Sequence, residues 1–230
     1  MSTSTCTLRP LRRLTALALI VLASGCITIE EHYTFKKNGS GTMEYVVDMS
    51  ELAGLMEGMD LGGGKKEKDK GEGGMSSGMG ERAEALKAIQ GVKRVKHKDE
   101  KDGYLQRISC QFADIDALNR ALNVLMPDST GKQQRFFHWE GNTLVRANNH
   151  YAKELGGDMA GDADSTDLSG ILESMKYKYS FKFAKKLEEV QRADGMAEDS
   201  RADKQIELST DWSVIMKDPA ALDLRIALQP

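Results

Sequence analysis

Residue types able to do chemistry are sparse in this chain of 230 residues, and their neighbours decide what each can do. Asp162-Ala-Asp164-Ser-Thr166-Asp167 offers oxygen ligands at alternate positions, and the twelfth place counted from Asp162 is Glu173. A calcium loop needs that spacing, but its sharp turn also needs glycine at the sixth place. Asp167 stands there, so a solvated acidic loop is the reading. Met56, Met59, Met75 and Met79 are thioethers of the kind exported proteins offer to Cu(I). The first two fall on an apolar helical stripe and the others in a low-complexity stretch, so gap filling accounts for them better. Gly62–Lys66 is no phosphate loop, because Met59 replaces the upstream glycine and Lys66 the hydroxyl residue. His32, His97, His138 and His150 are scattered, with no pair at ligand spacing. No catalytic residue, metal ligand or cofactor motif is therefore expected.

One cysteine has a telling context. Arg9, Arg12 and Arg13 precede the apolar run Leu14–Leu22 (LTALALIVL), and Ala23-Ser24-Gly25 follows. Charge, a short apolar run and small residues, in that order, make an export signal. The run is too short to span a bilayer, which takes ~20 apolar residues. Leu22-Ala23-Ser24-Gly25-Cys26 resembles a lipobox, the site at which bacterial lipoproteins are cut and acylated. The resemblance implies that residues 1–25 are removed and that the Cys26 sulfur carries diacylglycerol. Each buried methylene is worth ~0.8 kcal/mol, so two or three chains on one residue hold a protein to a membrane durably. Ile27, in place of the aspartate typical of inner-membrane retention, favours the outer membrane where the organism has one.

The chain beyond Gly25 has 205 residues, enough for one domain with a real core. Losing three arginines and no acid takes the net charge from −3 to −6. An acidic domain lacks the footprint that nucleic acid demands. Cys6 leaves with the signal and Cys26 is modified, so Cys110 has no internal partner and packing must hold the fold.

The elements that position these residues read mainly as hairpins. Ile27, Ile29, Tyr33 and Phe35 alternate with Thr28, Glu30, His32 and Thr34. Asn38-Gly39-Ser40-Gly41 then turns the chain into Met43, Tyr45, Val47 and Met49. Ser50 heads a short helix bearing Leu52, Leu55, Met56 and Met59. Residues 62–80 form a Gly- and Lys/Glu-rich low-complexity loop with too little apolar surface to order itself. A helix over Glu81–Gln90 stops at Gly91, and Val92–Lys98 pairs with Gly103–Ala113, whose buried face is Tyr104, Ile108, Cys110 and Phe112. Asp114 caps a helix lined by Ile115, Leu118, Leu122 and Leu125, with Pro127 beyond its end. Arg135–Trp139 and Thr143–Arg146 make a third hairpin, and residues 153–170 a second Gly/Asp-rich loop followed by a short helix near 166–174. Tyr177, Tyr179, Phe181 and Phe183 then alternate with Lys176, Lys178, Ser180 and Lys182. Leu187 and Val190 suit a partner strand, and segments at 206–208 and 222–228 finish the sheet.

This order gives an α+β class: a single exported domain over 26–230, an antiparallel sheet of successive hairpins, and a few helices on one side. Tyr33, Phe35, Gly39-Ser40-Gly41, Asp48-Met49-Ser50 and Leu52 are similar to the opening of uncharacterised exported lipoproteins and of the LppM-type domain of mycobacterial lipoproteins. That resemblance implies fold and location and brings no catalytic motif.

Three functions follow in order of preference. The first is a non-enzymatic, lipid-anchored envelope protein held to the membrane through Cys26 and binding an envelope protein or lipid. The second is a carrier of an apolar ligand, enclosed by the aromatic face of residues 177–183. The third is a hydrolase assembled from distant residues. Lys176, Lys178 and Lys182 could contact an anionic surface, or could guard an edge strand against pairing.

Overall fold

The structure, a computed structural model, describes residues 27–51, 77–147, 170, 172–218 and 220–230. Cys26, most of the low-complexity loop 62–80, residues 52–59 of the first short helix, and 153–169 lie outside these residues.

Strict alternation dictates the first two strands. In β1 (Thr28–Phe35) and β2 (Gly41–Asp48) the odd-numbered residues enter the core and most even-numbered ones face out. Gly39 closes the hairpin at φ 80°, and the Asn38 carboxamide oxygen accepts from the Ser40 amide. Helix α1 (Ser77–Lys87) leads to β3 (Val92–Glu100), and a turn at Lys101–Gly103 to β4 (Leu105–Phe112). The Asp114 side chain accepts from the Ala117 amide and caps α2 (Ile115–Leu125). Gly91, at φ 88°, ends the preceding helical segment, and a Cβ there would approach the Ala117 Cβ to 2.9 Å. This glycine is therefore fixed both by its backbone conformation and by the close passage of α2.

The remaining elements are β5 (Phe137–Glu140), β6 (Thr143–Arg146), β7 (Lys176–Phe183), β8 (Leu187–Arg192), β9 (Ala197–Ala202), β10 (Gln205–Asp211), α3 (Trp212–Lys217) and β11 (Leu224–Leu228). They assemble into two sheets, ordered β3-β4-β2-β1-β7-β10-β9 and β5-β6-β11-β8. Pairing is antiparallel except at the centre of the large sheet, where β1 and β7 run parallel in full register. The inner face of the large sheet, the small sheet and the helices share one core.

The class is the α+β expected, with several corrections of detail. The expected single sheet is two, because Leu187–Arg192 pairs with β11 rather than with the aromatic strand. The aromatic strand β7 is interior, flanked by β1 and β10, so its lysines guard no edge. Helix α1 begins at Ser77, which takes residues 77–80 out of the low-complexity loop; Met79 is buried and packs with Ala83 and Leu86. At the end of the second such loop, Gly170 is helical, as are residues 172–174. Tyr104 is 36% exposed, and Gln106 takes the buried place next to Ile108. The phase was right, but Tyr104 precedes the strand and leaves its plane. Edge strand β9, exposed along its whole length, has no apolar pattern by which to find it.

Two buried asparagines tie α2 to the small sheet. Asn119 donates to the Phe137 carbonyl and accepts from the Phe137 amide, each at 2.8 Å. One turn on, Asn123 does the same for Gln134, at 2.7 Å both ways. These amides replace the strand neighbour that edge strand β5 lacks, and so seat Phe136 and Phe137 in the core. Asn119→Leu leaves a buried donor and acceptor unpaired, at ~1–3 kcal/mol apiece. Urea denaturation should show a loss of roughly 2–4 kcal/mol. A change under about 0.5 kcal/mol would show that the two bonds do not hold β5.

Candidate functional site

Polar and aromatic side chains gather at three places: the aromatic face of β7, its outer lysines, and the ends of the strands.

The aromatic face is filled. Phe181 packs on Tyr33 and Phe137 with ring centroids 5.3 and 6.2 Å apart, and Tyr177 lies 6.1 Å from Trp212. A ligand chamber behind Tyr177, Tyr179, Phe181 and Phe183 is thus not formed, because the small sheet and α3 occupy that volume. Instead this layer holds a charge pair. Glu31 and Arg146 are each 1% exposed, and Arg146 Nη2 donates to both Glu31 oxygens at 2.8 and 3.0 Å. Tyr33 and Tyr177 donate their hydroxyls to the same carboxylate. Arg146 Nε donates to Tyr179 Oη at 3.1 Å, and the guanidinium stands 4.8 Å from the Phe137 ring centroid and 5.2 Å from that of Phe136. Burial first, and then the Glu31 charge, pushes the Tyr33 hydroxyl well above the ordinary tyrosine range. Such a phenol keeps its proton and donates it as a hydrogen bond, and the cluster joins the two sheets.

The sequence carried a signal for this pair that periodicity alone overlooks. Glu31 sits between Ile29 and Tyr33 on the apolar phase of its strand, and a carboxylate there must find a buried cation.

The outer lysines do not act alike. Lys176 lies 3.9 Å from Asp211, and Lys178 3.6 Å from Glu30, both acids being on flanking strands. Lys182 is exposed beyond both acids and forms no ion pair among the described residues. Glu30 also meets His32 Nε2 at 2.9 Å, which lowers the carboxyl and raises the imidazole. Ser109, the hydroxyl in the same row, is two strands away with Glu44 between, or ~10 Å. That is too far for the base-to-nucleophile contact a hydrolytic site requires. Cys110 is buried, and burial pushes its thiol up to about 12, the opposite of an activated nucleophile.

At the Phe35 end of β1 the two sheets part. A cleft of about 270 Å³ opens there, with Phe35, Trp139, Phe183 and Leu228 below and Lys36, Lys37 and Lys185 around it. Lys185 Nζ is 3.5 Å from Asn142 Oδ1, and Lys36 and Lys37 are exposed. Of the acids at this end, Glu140 is taken by Arg225 at 2.6 Å and Asp203 by Lys186 at 2.8 Å. The arrangement suits an apolar group with an anionic head. Nothing in the residue pattern announces it, because its parts come from four separate turns and strand ends.

Among the described residues, no helix is long and apolar enough to cross a membrane. The acidic segment Asp162–Asp167 lies outside the described residues. No protein-family model matches the chain, and no curated protein matches it. Among solved structures, it is similar to the folded domain of LppM from Mycobacterium tuberculosis, determined by NMR, with 12% identity and a TM-score of 0.44. The likeness covers 91% of this chain and 94% of that one.

Removing one partner of a buried pair costs ~3–5 kcal/mol, since the other is left as an uncompensated charge. Arg146→Met should therefore destabilise the domain by about that amount. Combining it with Glu31→Leu should recover a large part of the loss in denaturant titrations. If the double variant loses the sum of the two single effects, the pair is not coupled as its geometry requires.

Proposed function

We propose that this chain is a non-enzymatic, lipid-anchored envelope protein. It is held to its membrane through acyl chains on Cys26 and binds an anionic amphiphile in the cleft at the far end of the domain. The observation carrying this reading is the cleft itself, an aromatic floor beneath three lysines. An apolar pocket with a few convergent polar groups is the usual form of a small-molecule site. Its volume suits one aliphatic chain or a small ring system better than a whole two-chain lipid.

Anchoring is supported by the order of signal, apolar run and lipobox in residues 1–26. β1 begins at Thr28, two residues beyond Cys26. Eight residues of strand then span ~26 Å, so the cleft faces away from the anchored end. A binding role rather than catalysis is supported by the inward, tightly bonded tyrosines and by the high thiol of Cys110.

Two experiments test the two halves of the reading. Cys26→Ser should abolish fatty-acid labelling and release the domain from membranes; a variant that still fractionates with membranes would refute the anchor. Dodecanoate should change the fluorescence of Trp139 on titration into the purified chain, and Trp139→Phe should remove that change. Lys36→Gln combined with Lys37→Gln and Lys185→Gln should weaken dodecanoate binding roughly tenfold, or ~1.4 kcal/mol. Equal binding of dodecanoate and its methyl ester would remove the lysines from the site.

A further inference from the structure

On the outer face of the large sheet, register arranges the side chains in rows. The row nearest the cleft end reads Lys93, Gln111, Thr42, Thr34, Lys182 and Gln205 across β3, β4, β2, β1, β7 and β10. It contains two cations and no acid. The row at the opposite end reads Glu100, Leu105, Asp48, Thr28, Lys176 and Asp211, three acids against one cation. The sheet face is thus charged positive toward one end in a chain whose net charge is −3.

Of the acids in the intermediate rows, Glu44 lies 3.7 Å from Arg107, Glu30 is shared by Lys178 and His32, and Glu207 accepts from Ser200 and Gln205. Lys93, Arg94, Lys96 and Lys182 are exposed and enter no ion pair among the described residues. A bulge in β3 between Lys93 and Lys96 adds one residue, with Arg94 at φ 53°, and concentrates three cations at this corner. Beside them the face is hollowed into a depression of about 440 Å³ lined by Arg94, Lys96, Ser109, Thr42, His32 and Glu44, the last of these 3.7 Å from Arg107.

We infer that this face binds an extended anionic polysaccharide, a hydroxyl-bearing chain that carries carboxylate, phosphate or sulfate groups. From Lys93 to Lys182 is four strand spacings, ~19 Å, the scale of several sugar units rather than of one headgroup. The cations stand at the two ends of that track. Between them, the side chains of Gln111, Thr42 and Thr34 donate and accept hydrogen bonds, which suits hydroxyl groups. A bilayer is less well matched, because this row presents no apolar or aromatic side chain to enter the headgroup boundary. The large exposed apolar residue here, Tyr104, lies beside Leu105 at the opposite end. None of these residues lines the cleft, so the inference stands apart from the proposed amphiphile site.

The test uses the purified full chain with dextran sulfate, alginate, neutral dextran and phosphatidylglycerol vesicles. Dextran sulfate and alginate should bind in low salt, and neutral dextran should not. Lys93→Gln with Arg94→Gln and Lys96→Gln should weaken polymer binding at least tenfold. The triple change should also reduce the salt dependence by about two to three released counterions, on the slope expected per contact. Lys182→Gln alone should weaken binding about threefold, and it keeps the test decisive if the triple variant is unfolded by circular dichroism. Lys176→Gln with Lys178→Gln should leave binding within about twofold. Equal loss in that control would mean diffuse attraction and would overturn the inference. So would binding of neutral dextran, absence of binding to both acidic polymers, or vesicle binding with the same dependence on Lys93–Lys96.

Discussion

A carboxylate on the apolar phase of β1 must be neutralised inside the protein, and Arg146 on β6 does so across 115 positions of sequence. Both groups forgo water, at an effective cost of several kcal/mol each. What offsets the cost is a dense set of contacts: Glu31 accepts from Arg146, Tyr33 and Tyr177, while Arg146 also reaches Tyr179 and lies against aromatic rings. A one-residue slip of β1 would turn Glu31 outward and Glu30 inward, away from that set. The pair therefore fixes the register of the parallel β1–β7 seam as well as the height at which the small sheet docks. Apolar packing of Phe137 on Tyr33 and Phe181 would tolerate sliding; a carboxylate bonded to a guanidinium and two phenols does not.

That register has a consequence on the opposite side of the same strand. Because β1 is locked, Glu30, His32 and Thr34 are locked too, and with them the rows that cross six strands. Charge along the outer face is then a fixed pattern and not an average over slipped pairings. Lys176 and Lys178 fall beside Asp211 and Glu30 and are largely neutralised, while Lys182, four residues further, has Thr34 and Gln205 as its neighbours. Three lysines that look equivalent along one strand become different in the sheet, since cross-strand neighbours set the local potential.

Much of the architecture was legible because it depends on local rules. The alternation in residues 27–35 and 43–49, the aspartate cap before α2 and the glycine stop at Gly91 each involve residues a few places apart. Tyr177, Tyr179, Phe181 and Phe183 declared a buried face correctly. What stayed hidden was tertiary. Leu187 and Val190 gave a strand but no statement of which sheet it would join, and β9 carries no apolar pattern because both its faces are wet. Met79 looked like low-complexity sequence because Gly78 and Gly80 flank it, yet its contacts with Ala83 and Leu86 extend the helix to Ser77. The cleft combines Phe35, Trp139, Phe183 and Leu228 from four strands, a proximity no spacing encodes.

Strand β1 links these separate features mechanically. Its first residue follows Cys26 by two places, its inner face carries Glu31, its outer face carries the rows, and its last residue floors the cleft. A lipoprotein whose domain hangs on a long linker samples every orientation, so the placement of cations within it has little bearing on what they meet. Here the proposed anchor leads almost directly into a strand held by ladder bonds on both sides and by a buried ion pair at its middle. Orientation then becomes a property of the fold. The acid-rich end of the sheet would lie toward an anionic bilayer, where repulsion discourages the face from lying flat. The lysine-rich end and the cleft would stand ~26 Å away, about three Debye lengths at physiological salt and so beyond the reach of headgroup charge. On that reading the free lysines would stand clear of the anchoring membrane and would remain available to other anions.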